Sequence, residues 1–580
     1  MVEVLVSWIY IGFICLLAGT AVRGLLSGRF PLSASAHLTE TAVYGIAAIT
    51  VFGEFWSLFG GVSAACHPCA VILSCIAVFA VPENRRLFCS LIRRIRRLFF
   101  SWQGLFYLIT IAVIAYFASR GDFHADTKMY HAQAIRVIEE YGSVRGLANV
   151  QLHFGYNSSY LVFCAFFTMS WLVGTAHALH TTTGFLMALF SCYALHGLAG
   201  IQRHKRYGAD AMKIGMLIYI LTELYYAMSP ATDYGTMLMV LYLFCAFLDN
   251  AETEGSSPAK TARYGMLSVL ALFCVSLKLS AAVCFLIVLC PLVMLIRGKQ
   301  GKQIMRYVLL CVIVILPFLA RNVKISGWLF YPFEAIDLFD VEWKVPAAYS
   351  LVDSNQIKAW GRCLYDINLV DRPMSYWVPI WWAGQEHYEQ MLIYAAVLSL
   401  PLYISDFFMA LSADRKKKKK IRPEIAVFVV MMFASFVMWF VTAPFVRYGL
   451  GFLLGLPLLS IALFIENYRY TKNLFTVAGV FLSMLAVMDF APWLDHYLTD
   501  DLVFAKHHLA ENYYVVQKPF DEADMEAYDM GNGVIVYYNA DATENNSYYV
   551  TPGSSYKFMI ERSESMGDSV KDGFRAKQSR

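Results

Sequence analysis

VLVSWIYIGFICLLAGTAVRGLL, residues Val4 to Leu26, is the stretch that decides the fold. From Val4 to Val22 it carries no charged side chain, and a bilayer core takes about 20 apolar residues as one helical span. Blocks of similar length recur at Leu98 to Ala118, Met391 to Leu411, Ile425 to Thr442 and Leu474 to Phe490. Lipid offers backbone groups no hydrogen-bond partners, so each block is expected to be a helix. Of the 580 residues, 58% are hydrophobic and 16% charged. An average soluble domain has about 45–50% and about 25%, so an ordinary soluble fold is excluded. The first block has no basic leader and no small-residue cleavage site, and it carries Glu3. It therefore reads as a first span, not as a cleaved signal peptide.

The net charge of +4 says little, but its placement sets the topology. Lys and Arg collect in Arg85 to Arg97 (six Arg), Arg203 to Arg206, Arg297 to Arg306 and the Arg415 to Arg422 segment with its KKKKKIR run. The positive-inside rule puts these on the cytoplasmic side. The lysine run is read as a topology signal and not as a nucleic-acid site. The thirteen cysteines lie mostly in apolar blocks, where they behave as small apolar residues.

The expected architecture is an all-α polytopic membrane protein of about thirteen to fifteen transmembrane helices, with a small extracytoplasmic C-terminal tail of mixed structure. Residues 1–97 form a three-span extension with a basic loop. Residues 98–320 form a membrane core with an extracytoplasmic loop at 119–158. Residues 321–388 form a second such loop, 389–491 the last spans, and 492–580 the tail. Apolar residues at Met129, Ala132, Ile135 and Ile138 predict an amphipathic helix on the membrane surface within the first loop. An outer turn is expected at Ser229 to Asp233, and Lys278 is expected near the outer face. Residues 159–200 do not resolve into whole spans.

Four segments could carry chemistry. In GDFHADTKMYHAQAI, Asp122 and Asp126 follow a span, with Tyr130 and His131 one helical turn past Asp126. A carboxylate there suits a general base or a metal ligand; the same spacing also reads Asp126 as a plain helix N-cap. Lys278, in SLKLSA, interrupts an apolar block, where an ionisable residue points to function or to a lysine reaching the interface. Arg321 and YPFEAIDLFDVEWKVP supply Tyr331, Glu334, Asp340, Trp343 and Lys344, the aromatic and acidic mixture that suits sugar recognition. In TAPFVRYGLGFLLGLP, Arg447 opens a helix and suits bidentate phosphate contact, or serves as an interfacial anchor.

The order of these features resembles the GT-C glycosyltransferase superfamily, multispan enzymes that use polyprenyl-phosphate sugars. Asp126 and Tyr130 match its recurring D-x-x-x-Y arrangement, and Arg447, Tyr448 and Pro457 match its late R-Y followed by Pro. The nearest resemblance is to an uncharacterised family of bacterial membrane proteins with that layout. It is carried by DTKMYHAQAI, GLANVQLHFGYNSS, SLKLSA, ARNVKISGWLFYPF, DVEWKVP and APFVRYG. Two departures stand out. The acidic loop follows the fourth span and not the first. Thr127 stands where the superfamily often has a second acid, which leaves a divalent metal unsupported and the cofactor unknown.

The resemblance implies an inverting glycosyltransferase of the bacterial cytoplasmic membrane, working in cell-envelope polysaccharide biosynthesis on the extracytoplasmic face. Asp126 would be the base, with Asp122, Tyr130 and His131 in support. Lys278, Arg447 and Arg321 would hold the lipid phosphate, and Tyr331 to Lys344 would face the acceptor. The partners are membrane lipid, a polyprenyl-phosphate sugar, and a glycan, lipid or protein acceptor. A glycan polymerase or ligase, suggested by Arg362 and Arg372, and a transporter or flippase are the alternatives.

Overall fold

Small residues decide how the first two helices meet. Helices α1 (Val2–Ser27) and α2 (Leu38–Ser57) cross so closely that a Cβ on Gly19 would fall on the Thr41 carbonyl, and one on Gly45 on the Cys15 carbonyl. Such close backbone approach is a common packing device between helices in lipid. A computed structural model describes residues 1–31, 37–199, 206–253, 257–415, 422–467, 517–541 and 543–577.

After α2 the chain forms α3 (Cys66–Phe79) and α4 (Pro82–Phe99), bent by 103° to each other. The six arginines of the basic loop therefore lie on a helix. Then α5 (Trp102–Arg120) leads to a π-helical turn, Thr127–His131, and α6 (Ala132–Glu140). Next come α7 (Ser159–Phe167), α8 (Ser170–Val173) and α9 (Thr182–Leu198). Helices α10 (Tyr207–Thr222), α11 (Thr232–Glu252) and α12 (Pro258–Leu277) form the centre, and α11 is almost wholly buried. A 3-10 helix, Leu279–Val288, continues into α13 (Leu289–Arg297), followed by α14 (Gly301–Ser326). Two further helices, α15 (Ala347–Gly361) and α16 (Met374–Ala383), precede α17 (His387–Arg415), α18 (Pro423–Thr442) and α19 (Val446–Asn467).

Among the described residues, nine helices are long and apolar enough to cross a membrane, or ten if α3 and α4 count as one span. The chain is a mostly helical, multi-pass membrane protein. The number is below the expected about thirteen to fifteen spans, for physical reasons. Helix α2 carries Glu40 and Glu54, and α10 has 16 residues. Helix α7 has nine residues, about 14 Å of rise, and is buried on every side, which explains why 159–200 did not divide into whole spans. The expected span Leu474 to Phe490 lies outside the described residues.

Residues 517–577 form a small unit of mixed structure. Strands β1 (Met525–Asp529) and β2 (Ile535–Asn539) pair antiparallel, β3 (Gly553–Ser554) joins β2 in parallel, and β4 (Ser563–Ser565) pairs with β5 (Phe574–Ala576) beyond α20 (Lys557–Glu561). This unit corrects the expectation of a surface helix at 126–141. Helix α6 is buried on nearly all its faces, because the C-terminal unit packs over it. Gln133 donates to the Val550 carbonyl at 2.7 Å, and Tyr548 donates to Glu139 at 2.8 Å. A helix with one polar face reads as a surface helix until a polar partner covers that face.

Candidate active site

The site is assembled from four helix ends. Beyond α5 the chain runs extended, with the Asp122 amide donating to the Tyr225 carbonyl at 3.1 Å. Ser229 Oγ then holds the loop, accepting from the His124 amide at 3.2 Å and sharing a hydrogen bond with Thr127 Oγ1 at 2.8 Å. The π-helical turn starts at Thr127, and Asp126 occupies its N-cap position without a side-chain cap bond. Its carboxylate points instead at Arg447, whose Nη2 donates to Oδ2 at 3.1 Å. The plain N-cap reading is therefore not what this side chain does.

Arg447 sits in the first turn of α19, after a corner pinned from two sides. Trp381 Nε1 donates to the Pro444 carbonyl at 2.9 Å, and Trp439 donates to the Phe445 carbonyl. The guanidinium also donates to Tyr448 Oη at 3.1 Å and to His124 Nε2. A guanidinium keeps its protons. On the other side of the ring, His124 Nδ1 faces the Asp126 backbone amide at 3.1 Å and Asp126 Oδ2 at 3.6 Å.

Lys278 is the residue at which α12 gives way to the 3-10 helix, with extended backbone (φ −157°, ψ 129°). That break turns its side chain into the site. It donates to Asp233, and its Nζ lies 3.9 Å from the centroid of the Tyr448 ring. Asp233 stands in the first turn of α11, where the helix dipole favours an anion. Its Oδ2 is 3.8 Å from Arg447 Nε. Two carboxylates and two cations thus form one balanced cluster. Beneath it lies a narrow cleft between α11, the 3-10 helix, α18 and α19. The charged side chains gather at its rim, and Val240, Phe244, Ala281, Cys284 and Phe452 form apolar walls.

Burial alone would push the Asp126 carboxyl up. The Arg447 guanidinium, with His124 and His131, outweighs burial and holds it below the ordinary carboxylate range. Burial pushes the His124 imidazolium down despite Asp126, and takes His131 down to about 3. At neutral pH Asp126 is therefore an anion beside two neutral imidazoles. Among the described residues, no group of three or more His, Cys, Asp or Glu is arranged to hold a metal ion.

Not every residue marked in the sequence belongs to this cluster. Asp122 faces Lys128 at 3.5 Å and Lys518 at 3.4 Å. Tyr130 turns toward His153, with ring centroids 5.1 Å apart. His131 is buried beside it, with no hydrogen-bond partner for Nε2. Arg321 is sealed elsewhere, donating to Asn157 at 3.0 Å and to Ser57; it is a structural arginine here. Trp343 donates to the Val323 carbonyl at 2.9 Å, Lys344 pairs with Asp337, and Asp340 is exposed, all apart from the cluster. Tyr331 and Glu334 are also outside it.

Sequence reasoning passed over Asp233, His124 and Tyr448 as site members. Asp233 had a signal. It is a carboxylate opening an apolar helix at the same end as Lys278, and buried charges in lipid come in pairs. The C-terminal unit also reaches the loop. Lys128 pairs with Asp521 at 3.0 Å, the Asn546 amide donates to the Lys128 carbonyl at 2.7 Å, and Phe520 stacks on Phe123 at 5.2 Å.

No curated protein and no solved structure matches the chain. Residues 1–454 match the family model of a domain of unknown function, DUF8201, and the chain belongs to that family.

Proposed function

We propose that this protein is a membrane glycosyltransferase that moves a sugar from a polyprenyl-phosphate donor to a cell-envelope acceptor, with inversion at the anomeric carbon. One observation carries the reading: Lys278 and Arg447 line a cleft with apolar walls, and Asp126, from a third distant segment, pairs with Arg447. A charged rim over an apolar slot matches an anionic headgroup on a hydrocarbon chain.

In this reading the donor phosphate draws on Lys278 and Arg447, as point charge and fork respectively. That competes with their present contacts to Asp233 and Asp126. Once Arg447 turns to phosphate, what depresses Asp126 is removed, and its carboxylate becomes a stronger base. It takes the acceptor hydroxyl proton as that oxygen bonds to the anomeric carbon. The anomeric C–O bond breaks, and polyprenyl phosphate leaves with the electron pair, its charge offset by the two cations. His124 helps to hold Asp126 in place through the contact of its Nδ1 with the Asp126 backbone amide.

The active face is extracytoplasmic and the membrane is the bacterial cytoplasmic one. Supporting this side, Arg206 and Arg297 to Arg306 lie at the far ends of their helices from Asp233 and Lys278, where the positive-inside rule puts the cytoplasm. Arg362 and Arg372, which suggested a polymerase or ligase, are engaged away from the cluster. Arg362 donates to the Val370 and Val441 carbonyls, and Arg372 lies over Tyr376.

The test uses purified protein in nanodiscs with polyprenyl-phosphate sugars and cell-envelope acceptors, following sugar loss from the lipid. Loss in wild type that disappears in Asp126→Asn supports the reading. No loss with any donor, beside a working control enzyme, overturns it.

A further inference from the structure

A second group of polar side chains lies beside the first, and the reaction above does not use it. It starts at Tyr130, four residues past Asp126, whose ring stacks on His153 at 5.1 Å and meets Tyr156 edge-on at 5.9 Å. Tyr156 donates to Asp353 Oδ1 at 3.0 Å, and the Tyr331 ring is 6.1 Å from that of Tyr156. From the C-terminal unit, Tyr556 approaches His153 at 6.4 Å, and the Arg562 guanidinium lies 3.8 Å from the Tyr349 ring centroid.

This group has unmet hydrogen-bonding capacity of both signs. Asp353 is 1% exposed and Ser350, one turn earlier on α15, is 0% exposed. Ser350 Oγ, His153 Nδ1 and Arg562 Nη2 lack hydrogen-bond partners, and Asp353 Oδ2 has only the Tyr331 hydroxyl facing it. Leaving one such buried atom unpaired costs about 1–3 kcal/mol, and folded proteins rarely tolerate several together. Burial pushes the Asp353 carboxyl up, offset only in part by His153, the Tyr156 and Tyr331 hydroxyls and Arg562. The group is not sealed, because His153, Tyr156, Tyr556 and Arg562 each keep partial exposure.

The chemistry narrows the ligand. One arginine next to one carboxylate does not select an anion or a cation. Unpaired donors and acceptors side by side do fit hydroxyl groups, which give and take hydrogen bonds at once. The surrounding aromatic faces fit the C–H face of a pyranose ring. We propose that the Asp353 group is a saccharide-binding subsite that holds the acceptor glycan, with the C-terminal unit as one wall. The role as acceptor subsite rests on the transferase reading; the binding does not.

The test is saturation-transfer difference NMR on the full chain in nanodiscs. The probes are methyl glycosides of glucose, galactose, mannose and N-acetylglucosamine, with glycerol as control. At least one glycoside is expected to receive saturation on its ring protons, with none on glycerol. Asp353→Asn, and separately Arg562→Gln on the exposed rim, should each weaken binding by about tenfold or more, while Asp126→Asn keeps it. No saturation of any glycoside, or unchanged affinity in both variants, overturns the proposal and leaves a site for ordered water only. Glycoside binding lost in the two variants, beside a negative donor assay, keeps the subsite and removes the transferase reading.

Discussion

Helix α11 carries an aspartate near each end, Asp233 and Asp249, sixteen residues and about 24 Å apart, and the two ends are built differently. At the Asp249 end, Lys213 Nζ bonds Asp249 at 3.2 Å and Asp210 at 3.1 Å. Tyr193 donates to the other Asp249 oxygen at 3.1 Å, and Glu252 accepts from the Gly208 and Ala209 amides at the start of α10. Side-chain exposure there is 3% for Lys213 and 11% for Asp249, while Arg206, 3.5 Å from Asp249, keeps 34%. At the Asp233 end, Arg447 is 31% exposed, Lys278 27% and Asp126 23%. The Arg447–Asp233 contact of 3.8 Å is too long for a hydrogen bond. Both ends pair charges, and the Asp233 end opens on the apolar cleft. A closed ionic group is a staple between helices. An open one has cations that a ligand can recruit.

The comparison predicts opposite phenotypes. Asp126→Asn at the open end should lower the rate of sugar transfer by about 10²–10⁴-fold with little change in thermal unfolding. Lys213→Met at the closed end should do the reverse. It removes the cation that Asp249 and Asp210 share, costs about 3 kcal/mol, and leaves activity per folded molecule intact. A melting temperature unchanged by Lys213→Met would break the comparison.

The pH profile sharpens it. Asp126 is depressed, so its anionic form, and the stability its pairing contributes, are complete above its unfolded value. Both are lost only as pH falls through its lower folded value. Wild-type kcat/KM, which reports the free enzyme, should thus hold well into the acid range. In Arg447→Gln the main lowering influence is gone and burial takes over, so the acid limb of the rate profile moves to higher pH. Matching acid limbs in the two proteins would show that Arg447 does not tune Asp126. The smallest effect is expected for Tyr448→Phe. It keeps the ring under Lys278 and deletes the hydroxyl that accepts from Arg447, worth about 0.5–1.5 kcal/mol, or a roughly twofold to twelvefold change in rate.

Legibility in the sequence followed the range of the physics. The membrane helices could be read because lipid imposes a length on each apolar block, one block at a time. Lys278, Arg447 and Asp126 stood out because a charge at the edge of such a block is costly unless it has a use. The spacing of Asp126 and Tyr130 misled in one respect. It placed both on one face of a regular helix, whereas the π-helical turn sends Asp126 to Arg447 and Tyr130 to His153. Arg321 looked like a phosphate ligand by residue type, yet Ser57 and Asn157, from far along the chain, enclose it.

The sequence by itself determined that this is a helical, multi-pass membrane protein, because hydrophobic length and charge placement are local properties summed along the chain. Only the tertiary structure decided that Asp126, Asp233, Lys278 and Arg447 share one cluster, that α6 lies buried under the C-terminal unit, and that Asp353 faces His153 and Tyr331. Each of these joins residues up to several hundred positions apart, and no local periodicity encodes which helix ends will meet once the bundle has packed.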